Sequence, residues 1–142
     1  MNFQDVIKKR KSIRSFQETE VPSKILEEVI TLANFAPSAG AIKGYKWFLT
    51  KEKFGNVNAP IYLIICTNPQ AYILRYGDRG KDLYSIQDAT IFGAYIQLIL
   101  VDKEIDSCWI GSFRESKVKQ ALHLEEYLKP IAIIAIGYAN NI

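Results

Sequence analysis

Two arginines, a lysine and a hydroxyl fall within a few residues of one another in Arg10-Lys11-Ser12-Ile13-Arg14-Ser15-Phe16. Guanidinium groups form bidentate, charge-assisted hydrogen bonds and serine adds a neutral donor, so Arg10, Ser12 and Arg14 can converge on one phosphate. The same stretch also suits a solvated basic bend, because the C-terminus of a preceding helix favours cations in any case. A second candidate is Ala36-Pro37-Ser38-Ala39-Gly40. Its small residues let backbone approach a flat ligand closely, or simply end a helix in a turn. The third is Cys108-Trp109-Ile110-Gly111-Ser112-Phe113. A strand closing on Gly-Ser presents unpaired N–H groups between apolar side chains, which suits the heteroatoms of an aromatic ring system. An ordinary strand-to-helix turn has the same composition.

Other chemistries lack their residues. Neither GxGxxG nor GxxxxGK[ST] is present, and nothing matches GxSxG or HExxH. Cys66 and Cys108 sit in β-like runs without CxxC spacing and read as small buried thiols. The single histidine, His123 in Ala-Leu-His-Leu-Glu, reads as a helix-surface residue and cannot build a metal cluster alone. Glu27, Glu28, Glu125 and Glu126 are scattered over helix surfaces and form no acid–base pair. No side chain stands out as catalytic, so a reaction here needs a bound cofactor.

Composition narrows the class further. At 142 residues the chain is expected to form one domain over 1–142. Its 49% hydrophobic content excludes wholesale disorder, and a net charge of +3 gives no nucleic-acid footprint. The opening MNFQDVIKKRKSIR has no apolar signal-peptide core. Ile86 to Val101 is broken by Gln87, Asp88 and Gln97 and is shorter than the ~20 residues of a membrane span. A cytoplasmic protein with no membrane partner is expected.

The elements that must position the three segments follow from periodicity. Residues 3–10 read as a short helix with Asn2 as N-cap and Phe3, Val6 and Ile7 on one face. Pro22 opens a second helix bearing Ile25, Leu26, Val29, Ile30 and Ala33, which should stop before Pro37. Lys46 to Thr50 and Ile61 to Thr67 read as strands, and 70–80 as an exposed connection. A long helix is predicted from about Asp82 to Lys103, a strand at Ser107 to Ile110, a small helix at Lys117 to Leu124 and a last strand at Ile131 to Ile136. Continuously apolar strands among helices predict a helix-rich α+β fold whose sheet is covered on both faces. Ile86, Ala89, Phe92, Tyr95, Ile96, Leu98 and their neighbours wrap the long helix on all sides. Such a helix must be enclosed, either by a second copy in a homodimer or at the centre of a compact monomer.

Taken together and in order, these segments resemble the nitroreductase family of flavoproteins. The resemblance rests on Arg10 to Phe16, Ala36 to Gly40, the strand Lys46 to Thr50, the Ile-Gln-Asp-Ala start of the long helix at Ile86 to Ala89, Cys108 to Phe113, and Ile136 to Tyr138. It implies a central mixed, mainly antiparallel sheet, with the long helix at the interface of a homodimer that binds FMN between its subunits. Arg10, Ser12 and Arg14 would hold the phosphate and ribityl end, with Lys11 adding main chain or charge. Pro37, Ser38 and Ala39 would pack near the isoalloxazine from the second subunit. The N–H groups of Gly111 and Ser112 would face its N5 and O4 edge. The implied activity is hydride transfer from NAD(P)H through flavin N5 to a nitroaromatic, quinone or similar small electron-poor acceptor, with no obligate catalytic side chain. The alternatives are a non-catalytic protein that binds a flavin or another phosphorylated ligand, and a scaffold without ligand.

Three departures accompany the resemblance. Where the family has Asn-x-Gln-Pro-Trp, this sequence has Ala41-Ile42-Lys43-Gly44-Tyr45, leaving Lys43 to place a positive charge near the flavin pyrimidine. Only residues 68–81 stand where the family has a helical insertion, which predicts a reduced substrate wall. Asn140, Asn141 and Ile142 follow the last strand in place of a Lys/Arg pair, leaving Arg75, Arg79 or Lys81 as cations that could supply the lost charge.

Overall fold

The computed structural model describes residues 1–141 and has the expected α+β fold. Four strands, β1 (Tyr45–Thr50), β2 (Ile61–Thr67), β3 (Asp106–Ile110) and β4 (Lys129–Gly137), form one sheet in the order β1-β2-β4-β3. Every ladder between them is antiparallel. Parallel pairing is confined, among the described residues, to a bridge from Ser12 to Ser107 on the edge strand β3. The strands β2 and β4 are central and covered on both faces, which is why IYLIICT and IAIIAI read as unbroken apolar runs. Leu63, Ile65, Ile134 and Ile136 face one helical layer, while Tyr62, Ile64, Cys66, Ile133 and Ala135 face the other side. The register slips between Ile65 and Cys66, where Pro130 stands opposite Cys66. Proline has no N–H to give a ladder, so an irregularity there costs little.

The first layer is built by α2 (Ser23–Ala33) and α4 (Ser85–Asp102). Ser85, Asp88, Ala89, Phe92, Gly93, Ile96, Gln97 and Leu100 are the buried residues of α4. They recur at helical spacing and form one inward stripe. Ala94 and Tyr95 point to solvent, so the protomer does not enclose this helix on every side. Gly93 lets α4 lie close on β3, since a Cβ there would stand 2.6 Å from the Trp109 ring. On the opposite face Phe16, Leu128 and Val118 of α5 (Glu115–Ala121) close the second cluster.

The helix α1 (Phe3–Lys9) is capped by Asn2, whose Oδ1 accepts from the Asp5 N–H at 3.0 Å. Val6 alone of α1 is buried; Phe3 and Ile7 stay exposed. Three expectations need correction. Residues 70–80 are not an open connection: a tight turn at Pro69–Tyr72 leads through α3 (Ile73–Arg79) and a wide turn at Gly80–Tyr84 directly into α4. Gly77 breaks the periodicity there with φ 59° and ψ −146°, which is why no helical pattern shows in the sequence. The long helix proper therefore begins at Ser85 rather than near Asp82. Finally, α5 stops at Ala121, so His123 lies exposed in a left-handed turn (φ 52°) and not on a helix surface.

Cys66 and Cys108 are free and buried, and burial pushes the Cys66 thiol up to about 12. Among the described residues, no helix is long and apolar enough to cross a membrane.

Candidate functional site

The basic elbow after α1 is held by its backbone, and its cationic side chains are exposed. The Arg10 N–H ends α1 by donating to the Val6 carbonyl at 3.1 Å. Two residues on, Ser12 bridges to Ser107 and the Ile13 N–H donates to the Ser107 carbonyl at 3.0 Å. Ser107 is itself fixed from α4, because Gln97 Nε2 donates to its Oγ at 3.2 Å in a buried setting. Beyond the elbow, Phe16 bridges to Ala139 and the Gln17 N–H donates to the Tyr138 carbonyl at 2.7 Å. Arg10, Lys11, Ser12 and Arg14 are exposed. Among the described residues none of their side chains joins the ion pairs, which involve Lys51, Lys103, Lys119 and Lys129 instead.

The Gly-Ser edge lies at the other end of the same strand. Ser107 and Gly111 are four positions apart, about 13 Å at a strand's ~3.3 Å per residue. Gly111 and Ser112 are exposed, and a Cβ added at Gly111 would meet nothing within 4 Å. Neither N–H donates to a turn or loop acceptor among the described residues. The strand β3 thus joins a cluster of free cations to a pair of free backbone donors.

The loop Pro37 to Lys43 has the opposite character. Its polar groups turn inward onto Asp88, a carboxylate only 4% exposed in the first turn of α4. Ser38 Oγ donates to Asp88 Oδ2 at 2.7 Å, and the Ala39 N–H donates to both oxygens at 3.0 and 3.2 Å. The Tyr72 hydroxyl adds a third donor at 2.7 Å while accepting the Gly44 N–H at 3.0 Å. Ser38 Oγ in turn accepts from the Lys43 N–H at 2.8 Å. Burial, reinforced by the hydrogen bond to Asp88, pushes the Tyr72 phenol well above the usual tyrosine range. Three residues of the loop are left-handed: Gly40 (φ 55°), Ala41 (φ 56°) and Lys43 (φ 49°). Alanine and lysine resist that conformation, so the Asp88 bonds hold a strained backbone in place.

The segment between β2 and α4 packs on this loop instead of leaving it bare. Arg75 Nη1 donates to the Gly40 carbonyl at 3.2 Å and its guanidinium lies over the Tyr76 ring. Arg79 lies over Tyr84. Within one protomer both arginines pack at this corner. A cavity of about 410 Å³ opens beside the loop, lined by Pro37, Ser38, Ala39, Tyr76, Tyr84 and Ile91 among others. No hydrogen bond among the described residues joins the loop to the elbow or to Gly111, so within one protomer the loop and the β3 edge are separate regions.

Two residues important to this arrangement were not singled out from the sequence. Asp88 interrupts an apolar run and belongs to the Ile-Gln-Asp-Ala start of the long helix, but neither reading gives it a role, although a lone carboxylate there demands buried donors. Asn140 entered only as an absence of charge, and nothing in its sequence setting shows that it reaches back to the elbow. Ile142 lies outside the described residues.

Comparison with known proteins identifies the family to which this fold belongs. The family model described as "Putative TM nitroreductase" matches residues 2–142. A "Putative NADH dehydrogenase/NAD(P)H nitroreductase" from Methanothermobacter thermautotrophicus is 23% identical over 97% of this chain and 78% of its own. A nitroreductase family protein from Clostridium novyi NT superposes with a TM-score of 0.87 at 28% identity, covering 99% of this chain and 87% of that one. An FMN-dependent nitroreductase from Clostridium difficile R20291 superposes with a TM-score of 0.79 at 23% identity, over 96% and 87% of the two chains. With a family model matched from residue 2 onward, the chain belongs to the nitroreductase family.

Proposed function

We propose that this protein is an FMN-dependent oxidoreductase, which takes hydride from NAD(P)H and passes it to a small electron-poor acceptor such as a nitroaromatic or quinone. The observation that carries the reading is the pairing, along β3, of unpartnered cations at one end with open backbone donors at the other. A phosphate dianion fits the first: Arg10 and Arg14 offer charge-assisted bonds and Ser12 a hydroxyl, from a backbone already fixed to Ser107. A flat polar ring fits the second, because Gly111 has no side chain and open space where a Cβ would be. The names of the relatives from Methanothermobacter and Clostridium difficile, which mention NAD(P)H and FMN respectively, support the same reading.

When bound, the flavin supplies two-electron chemistry at its N5. The chain's own residues bind, orient and shield. The donors at Gly111 and Ser112 would favour negative charge on a bound flavin ring, because fixed N–H dipoles need no reorganisation. Asp88 has its oxygens occupied by Ser38, Ala39 and Tyr72, so its part is to hold the loop and not to move protons. Lys43, exposed at the end of the loop, would present positive charge to the pyrimidine side.

The working unit in this proposal is a homodimer, which brings Pro37, Ser38 and Ala39 of one copy to the elbow and Gly111 edge of the other. Exposed Phe35 (81%) and Phe3 (69%), together with an apolar groove of about 520 Å³ between α1, α2 and α4, offer the kind of apolar surface that marks an interaction site. Ile96 faces the sheet, whereas Tyr95 and Leu98 face this groove. Tyr95→Glu should therefore yield a folded monomer in sedimentation, and an unchanged dimer would reject this interface. For the activity, FMN-loaded protein should oxidise NADH or NADPH steadily when a nitrofuran or quinone is supplied. Tight FMN uptake without oxidation of either nicotinamide would make it a carrier and overturn the proposal.

A further inference from the structure

We infer that Asn140 is a positioning residue for the phosphate-binding elbow, acting by fixing the backbone from which Arg14 and Ser12 project. The inference rests on the flavin reading above. The chain leaving β4 runs back along the elbow and is bonded to it repeatedly. Asn140 Nδ2 donates to Ser15 Oγ at 2.9 Å and to the Phe16 carbonyl at 3.0 Å, and the Asn140 N–H donates to the Ser15 carbonyl at 3.0 Å. Gln17 completes the strap, with its N–H on the Tyr138 carbonyl and its Nε2 on the Ala139 carbonyl at 3.0 Å. Asp106 fixes the strap to β3 by accepting the Ala139 N–H at 2.9 Å.

The consequence is geometric. On one side Ser12 and Ile13 are tied to Ser107; on the other Ser15, Phe16 and Gln17 are tied to 138–140. Arg14 stands between two fixed points although its own side chain is exposed and, among the described residues, in no ion pair. Like-charged side chains gathered on a short exposed bend repel one another, and a loose bend would spread them. Binding an anion would then have to order the backbone as well as the side chains, which lowers affinity. Among the described residues after β4 none is a cation, and the amide of Asn140 contributes order. Such an effect belongs to the phosphate end alone, because Gly111 and Ser112 lie at the far end of β3.

Dissociation constants for FMN and riboflavin, measured by flavin fluorescence titration on the full-length protein, separate this role from general stability. Wild type should prefer FMN strongly. Asn140→Ala should weaken FMN about tenfold while riboflavin stays within about twofold, with an unchanged circular dichroism spectrum. Equal loss for both flavins, or none for FMN, overturns the inference. A wild type that binds FMN no better than riboflavin rejects the phosphate reading itself, and this inference with it. Should the variant fail to fold, hydrogen exchange on flavin-free wild type decides: the Gln17 and Asn140 amides should be protected, and exchange at free-loop rates would refute the strap.

Discussion

The elbow at residues 10–17 and the loop at residues 37–44 are both short, polar and irregular, yet they use their polar groups in opposite directions. In the elbow the backbone is bonded to β3 and to the chain beyond β4, while the cationic side chains remain free. In the loop the Ser38 hydroxyl and the Ala39 N–H are spent on Asp88, while the backbone is left-handed at three positions. A polar side chain near a site is thus a ligand group only if nothing inside the protein has already claimed it. Ser12 meets that condition; Ser38 does not.

This contrast predicts which changes are felt as stability and which as ligand affinity. The largest stability effect belongs to the loop. Asp88→Ala removes the acceptor of three donors and should cost about 3–5 kcal/mol in urea unfolding. A cost below about 1 kcal/mol would show that the loop holds itself. The second effect is a pH dependence. The Tyr72 phenol is raised in the folded state, so the fold binds its proton more tightly than the unfolded chain does. That stabilisation is complete below the usual tyrosine value of about 10 and is lost as pH climbs past it. Urea midpoints should therefore fall from pH 9 towards pH 12, and Tyr72→Phe, though less stable at neutral pH, should show a shallower decline. An equally steep decline would place the alkaline sensitivity elsewhere. The smallest effect tests strain alone. Ala41→Gly relieves a left-handed alanine and should stabilise by about 0.5 kcal/mol, the benefit being partly offset by a freer unfolded chain. Destabilisation would mean that the loop is not strained at Ala41.

The sequence was most informative where a pattern is local. The apolar runs of β2 and β4, the Asn2 cap and the helix end before Pro37 are all settled by neighbouring residues, and all appear where periodicity and capping chemistry put them. The region 69–84 was illegible for the same reason: Gly77 interrupts its period, and its order comes from contacts with Gly40 and Gly44 far away in the chain. The long helix is intermediate. Its composition shows that it needs cover on several sides, but only the packing of Phe92, Ile96 and Leu100 on the sheet shows which side one protomer supplies. The three site segments were recognisable by residue type. That Ser38 points inward and that Asn140 straps the elbow depends on partners 50 and 125 residues away, beyond the reach of any local pattern.

The central claim is that the elbow grips an anionic tail with side chains the fold does not need. It is tested most directly by loading wild type and the Arg10→Ala/Arg14→Ala double variant with FMN, desalting both, and recording visible absorbance beside far-ultraviolet circular dichroism. The expected result is a yellow wild type and a colourless variant with the same folded spectrum and, compared without flavin, unfolding free energies in urea that agree within about 0.5 kcal/mol. A variant that keeps its flavin at equal occupancy, or a wild type that never retains it, would contradict the account.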